Sequence, residues 1–168
     1  MRENLKTFGE KEMRVIFTGQ SGLSSKMMMS NFINFASERL GKRPSYYALE
    51  QEMRKSYANK INKEPTEIKL TELFKKPVPI IYDFWTEAFE NILKDIDENN
   101  AENIYLKLHA CFYILNTREF LSPILISKVR NFNADLVITF IDDIHDIHLR
   151  LRAENKIFDP EKSRRIEI

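Results

Sequence analysis

The pattern of apolar and polar positions changes period several times along the chain, and each change marks an element. Met13-Arg14-Val15-Ile16-Phe17-Thr18 is a β-branched and aromatic run that stops at Gly19, as a buried strand does. After Gly19-Gln20-Ser21-Gly22, the residues Met28, Phe32, Phe35, Ala36 and Leu40 recur at steps of three and four. That spacing predicts a helix, which Gly41 ends in a left-handed conformation. Arg43-Pro44 punctuates the chain, Ser45-Tyr46-Tyr47-Ala48-Leu49 reads as a second strand, and a polar helix follows over 50–59. Residues 60–76 carry no clear period, and Pro77-Val78-Pro79 marks a break. From Pro79 onward, Ile81, Trp85, Ala88, Ile92 and Ile96 share one helical face, with Asp95, Asp97 and Glu98 on the other.

Residues 104–110 read as a third strand and 134–141 as a fourth. The fourth is so continuously apolar that a central strand covered on both faces is expected. A helical or mixed connection broken at Pro123 joins them, and Ile144, Ile147 and Leu151 continue a helical stripe after Asp142-Asp143. Strands alternating with helices predict an α/β fold, three layers deep, with a mainly parallel sheet of four to five strands. The expected organisation is an N-terminal extension over 1–12, one domain over 13–155 and a tail over 156–168.

Composition narrows this picture. A chain of 168 residues, 43% hydrophobic and 30% charged, can bury one real core and is neither disordered nor fibrous in character. A net charge of +1 leaves nucleic acid unsupported as a partner. The single cysteine, Cys111, forms no internal disulfide and no zinc pair, which points to a reducing compartment. The charged N-terminus lacks a signal-peptide core and no run approaches the ~20 apolar residues of a membrane span, so a cytoplasmic location with no membrane partner is expected. Glycine is scarce: of the four present, Gly19 and Gly22 both fall at the first strand-to-helix junction.

That junction, Gly19-Gln20-Ser21-Gly22-Leu23-Ser24-Ser25-Lys26, is the candidate binding loop. Its two glycines let successive N–H groups converge, and the helix that follows adds its positive N-terminal end, a combination suited to phosphate. Against the P-loop consensus G-x-x-x-x-G-K-S/T, Gly19 takes the first place. Ser24 replaces the later glycine, Ser25 the lysine, and Lys26 the magnesium-binding hydroxyl. The lysine is present one place late, about 100° around the helix from its expected direction. The plainer reading is a tight turn whose helix is capped by Ser21 or Ser24.

Three segments in order resemble the P-loop nucleoside monophosphate kinases, particularly the archaeal-type adenylate kinases: residues 15–22, the strand ending in His109-Ala110, and residues 134–152. The resemblance covers residues 13–153 and implies a nucleotide-binding domain that takes ATP or a related phosphate ligand with Mg2+. It implies that Lys26, Arg150 and Arg152 face transferred phosphates. It also implies that Gly19, Gln20, Ser21, Gly22, Leu23, Ser24, Ser25 and Lys26 cradle the ligand, with His109 and Asp142 nearby. Departures accompany it: the loop lysine and hydroxyl are displaced, and Lys107-Leu108 stands where the family has an acidic residue. Weak or partner-dependent phosphotransfer or NTP hydrolysis is therefore expected, because such transfer rests on positioning and charge. The alternative is a non-catalytic, pseudokinase-like interaction module, self-associating or joined to a protein partner, with the 79–96 helix as its surface.

Other residues carry plainer readings. Asp142 and Asp143 suit the cap of the next helix better than a metal site with His145, Asp146 and His148. No metal site is expected from them. Cys111 reads as a core thiol and Met27-Met28-Met29 as packing.

Overall fold

The computed structural model describes residues 12–19, 25–114, 119–143, 145, 146 and 149. The strands are β1 (Arg14–Gly19), β2 (Ser45–Ala48), β3 (Ile104–Lys107), β4 (Phe112–Ile114), β5 (Glu119–Leu121) and β6 (Leu136–Phe140). The helices are α1 (Ser25–Leu40), α2 (Leu49–Lys60), α3 (Leu70–Leu73), α4 (Val78–Glu98) and α5 (Ile126–Asn131), with a 3-10 turn at Pro65–Glu67. Four strands form one sheet in the order β2-β3-β1-β6, and every pairing in it is parallel. The fold is the expected α/β domain with helices on both faces.

The alternation of side chains along β1 divides the core in two. Val15 and Phe17, with Tyr105 of β3, meet Met29, Ile33 and Ala36 of α1. Ile16, Ile104, Leu106 and Leu108 point the other way and pack under α2 and α4, against Met53, Ile81, Trp85 and Phe89. Each fully buried large side chain contributes roughly 1.5–3 kcal/mol. Parallel strands joined by crossovers need this cover on both faces.

The helical stripe of α1 is only partly the one the spacing predicts. Ala36 is buried and Phe32 and Leu40 pack against the same cluster, but Met29 and Ile33 are buried too, while Met28 and Phe35 lie exposed, the latter at 55%. Steps of three and four fit either face of an evenly apolar helix, and only the position of the sheet chooses between them. For α4 the predicted face is the observed one: Ile81, Trp85, Ala88, Ile92 and Ile96 are all buried. Two prolines open it without cost, since Pro77 precedes the helix and Pro79 stands in its first turn, where no N–H is needed.

One expectation is extended and one is corrected. The helical or mixed connection expected over 120–131 is helical from Ile126 to Asn131, as α5, while Phe112–Ile114 and Glu119–Leu121 pair antiparallel as a separate two-stranded sheet that the periodicity does not predict. And β6 is paired with β1 alone among the described residues. Leu136 and Val137 are 47% and 57% exposed, so the strand is not covered on both faces despite its apolar run.

The scarcity of glycine has a structural counterpart. Gly41 takes the left-handed conformation at the end of α1 (φ 69°) as expected, but Asn62, Asn100, Asn103 and Asn133 take it elsewhere. Asn62 and Asn100 close α2 and α4 with paired reverse hydrogen bonds, Lys63 N to Ala58 O (3.0 Å) and Ala101 N to Ile96 O (3.1 Å). Asparagine tolerates this region because its short amide offsets the steric cost locally.

Candidate functional site

The carboxyl ends of β1, β2, β3 and β6 gather at one edge of the sheet, where loops lead into helices. In open parallel sheets this edge is where ligands bind. Gly19 ends β1 in the interior of the sheet, opposite Phe140 of β6, and its carbonyl accepts a hydrogen bond from Ala110 N at 2.9 Å. The β1 end is thus walled by His109-Ala110 on one side and by the exit of β6 on the other. Ser25 and Lys26 open α1, whose body lies over the Phe17 face. Beneath α1, Phe17 meets Phe32, Tyr105 and Phe140 with ring centroids 4.9, 5.4 and 5.9 Å away, a rigid apolar floor.

The sequence places Gln20, Ser21, Gly22, Leu23, Ser24, Arg150 and Arg152 in the site, and these lie outside the described residues. So does Arg118, a weaker candidate after the third strand. Gly19, Ser25, Lys26, His109 and Asp142 belong to elements or loops that end or begin at this same edge. His109 is turned toward a carboxylate, with Nε2 3.4 Å from Glu50 Oε2. Asp142 Oδ1 accepts from Asp143 N at 2.8 Å and Asp143 Oδ1 from His145 N at 2.7 Å, the hydrogen bonding of a helix start. Among the described residues no group of three or more His, Cys, Asp and Glu is placed to hold a metal ion.

Two side chains that sequence reasoning left out complete the constellation. Lys107, the last residue of β3, is only 8% exposed, and its Nζ donates to Glu50 Oε1 at 2.6 Å. Glu50 stands in the first turn of α2, where a carboxylate also complements the helix end. An acidic group thus reaches the end of β3 from the helix that follows the neighbouring strand β2, and its signal in the sequence is a glutamate immediately after the second strand. Glu50, Lys107 and His109 form one chain of charged and polar contacts, buried to within 10%, 14% and 17% of side-chain exposure for Lys107, Glu50 and His109.

Two buried oxygens at this edge have no hydrogen-bond partner: Thr18 Oγ1, next to Gly19, and Glu50 Oε2. Buried polar groups are nearly always satisfied, and Arg54 Nε and Trp85 Nε1 are the other two such atoms among the described residues. Tyr46 of β2 lies near the same carboxylate, and burial followed by the Glu50 charge raises its pKa from 10.0 to about 12. It stays a neutral donor. Tyr47 is likewise raised to about 12, by burial and by its 2.7 Å hydrogen bond to Asp95.

The sign of the resulting pH effect follows directly. A tyrosine whose folded pKa lies above its unfolded value contributes stability that is complete below the unfolded pKa of 10.0 and is lost as pH rises toward 12. The urea midpoint is expected to fall progressively between those values, and less steeply in Tyr46→Phe and Tyr47→Phe. A midpoint equally steep in both variants and in the parent would remove the tyrosines as the cause.

Fold and edge together define a three-layer α/β domain with a polar, partly buried cluster, Glu50, Lys107 and His109, at the carboxyl end of its parallel sheet. No protein-family model and no curated protein matches this chain. Among the described residues no helix is long and apolar enough to cross a membrane.

Proposed function

We propose that the domain binds a phosphate ligand, ATP or a related nucleotide, at the junction of β1 and α1. The observation that carries the reading is the placement of that junction. An interior strand ends in glycine at the carboxyl edge of an all-parallel sheet, and after Gln20-Ser21-Gly22-Leu23-Ser24 the chain enters a sixteen-residue helix. Converging N–H groups and a helix N-terminus stabilise an anion without any lysine in the consensus place. Phosphotransfer or hydrolysis, with Mg2+ brought by the nucleotide, is weak in this reading, because the consensus lysine and hydroxyl are displaced.

The alternative, an interaction module that presents α4, loses its surface. Ile81, Phe84, Trp85 and Ala88 are at most 3% exposed, consumed by the core rather than offered to a partner.

Calorimetric titration with ATP and Mg2+ tests the proposal. Binding is expected in the parent chain, and Ser25→Ala with Lys26→Ala is expected to weaken it about tenfold, the value of one hydrogen bond to a charged group. No heat in the parent overturns the reading. A coupled assay with nucleoside monophosphates then separates transfer to an acceptor from hydrolysis.

A further inference from the structure

Lysine is almost never buried unless it is paired, and a single buried ion pair adds little net stability over an apolar pair of the same size. The burial of Lys107 in the middle of the sheet edge is thus poorly explained by stability alone. Its neighbourhood offers a better explanation. In register, Lys107 stands beside Phe17 of β1, two residues before Gly19. Phe17 and Tyr105 face α1, so by the alternation of the strand the Lys107 side chain leaves the sheet on the α1 side as well. Its ammonium therefore belongs to the same face and the same edge as the β1–α1 junction.

The contact with Glu50 uses one of three ammonium donors, and it is the polar contact of Lys107 among the described residues. Glu50 holds the cation through Oε1, while Oε2, facing His109 at 3.4 Å, has no hydrogen bond of its own. A flexible four-carbon stem lets the ammonium serve a second anion as a point charge without leaving the first.

We propose that Lys107 is the cation that contacts the phosphate of the bound ligand, delivered from the end of β3 in place of a lysine in the loop, with Glu50 as its positioning residue. The inference rests on the phosphate-binding reading above. It commits to a ligand class, a polyphosphate with at least one oxygen free to face β3, and makes the base and sugar secondary.

The test uses inorganic tripolyphosphate and Mg-ATP with the full chain. Lys107→Met is expected to weaken both about tenfold or more, and Lys107→Arg, which keeps the charge, to weaken them less. Glu50→Gln is expected to weaken binding while Lys107 remains present. Because Lys107→Met removes half of a buried pair, the unmutated chain supplies an independent readout. The side-chain 15Nζ resonance of Lys107, assigned by its absence in Lys107→Arg, is expected to shift on saturation with tripolyphosphate. A parent that binds neither ligand overturns both this inference and the proposed function. A parent that binds, with a still resonance and unchanged affinity in folded Lys107→Met, overturns the role of Lys107 and leaves the phosphate reading standing.

Discussion

Replacing Glu50 by alanine is expected to destabilise the domain by about 3 kcal/mol, the low end for breaking a buried ion pair. The loss arises less from the vanished attraction than from the ammonium left behind. Lys107 Nζ has its charge-assisted hydrogen bond to Glu50 Oε1 at 2.6 Å, and its side chain is 10% exposed. An uncompensated cation there loses hydration and gains nothing in return. The low end of the range applies because both side chains still touch solvent. In the double variant Glu50→Leu with Lys107→Met the cost is expected to be much smaller, since no charge remains to be stranded. Urea unfolding of the parent, the two single variants and the double variant closes a cycle that isolates the pair. A loss under about 0.5 kcal/mol in Glu50→Ala would place the pair with ordinary surface ion pairs.

The second large effect lies in the layer opposite α1. Trp85, the single tryptophan of the chain, is 0% exposed and stacks on Phe89 with centroids 5.1 Å apart and planes 8° from parallel. Trp85→Ala is expected to cost about 3–5 kcal/mol, from lost transfer energy and the cavity left between α4 and the sheet. That is a large share of the roughly 5–15 kcal/mol by which domains are stable. Trp85→Phe is expected to cost clearly less than Trp85→Ala, because a phenyl ring leaves a much smaller cavity. The indole Nε1 has no hydrogen-bond partner, so phenylalanine removes a buried unsatisfied donor while the stack on Phe89 can persist. Chemical unfolding followed by circular dichroism measures both, and a loss below about 1 kcal/mol in Trp85→Ala would contradict the packing account.

How far the sequence could be read depended on what each signal measured. The run Val15-Ile16-Phe17 could be read as a strand because three consecutive β-branched or aromatic residues satisfy both faces of a parallel sheet, and all three are at most 3% exposed. The α4 stripe was legible because polar residues bound it on both sides, so a single face could be buried. The stripe of α1 was not, since Met27, Met28, Phe32 and Phe35 spread apolar surface around the helix. β6 misled for a related reason. Its apolar residues report affinity for apolar surroundings, whereas its place beside β1, with no other described neighbour, is set by strand order.

The candidate site divides in the same way. Gly19, His109 and Asp142 could be placed at one edge from the sequence, because each follows a strand and parallel strands end together. Glu50 and Lys107 could not be joined, since 57 residues separate them and no local pattern reports which helix start lies beside which strand end.

What the sequence determined by itself was the kind and order of the elements that build the main sheet and its long helices, and the α/β class, all of which follow from local periodicity and turn chemistry. Asn62, Asn100 and Asn133 even carried the helix ends where glycine was absent, though their left-handed geometry shows only in the folded chain. What tertiary structure alone decided was pairing: β3 between β2 and β1, α1 on the Phe17 face, and Glu50 against Lys107. Those choices come from burying two apolar faces at once, a condition on the whole chain. The buried charge at the edge of the sheet becomes visible only after that condition is met.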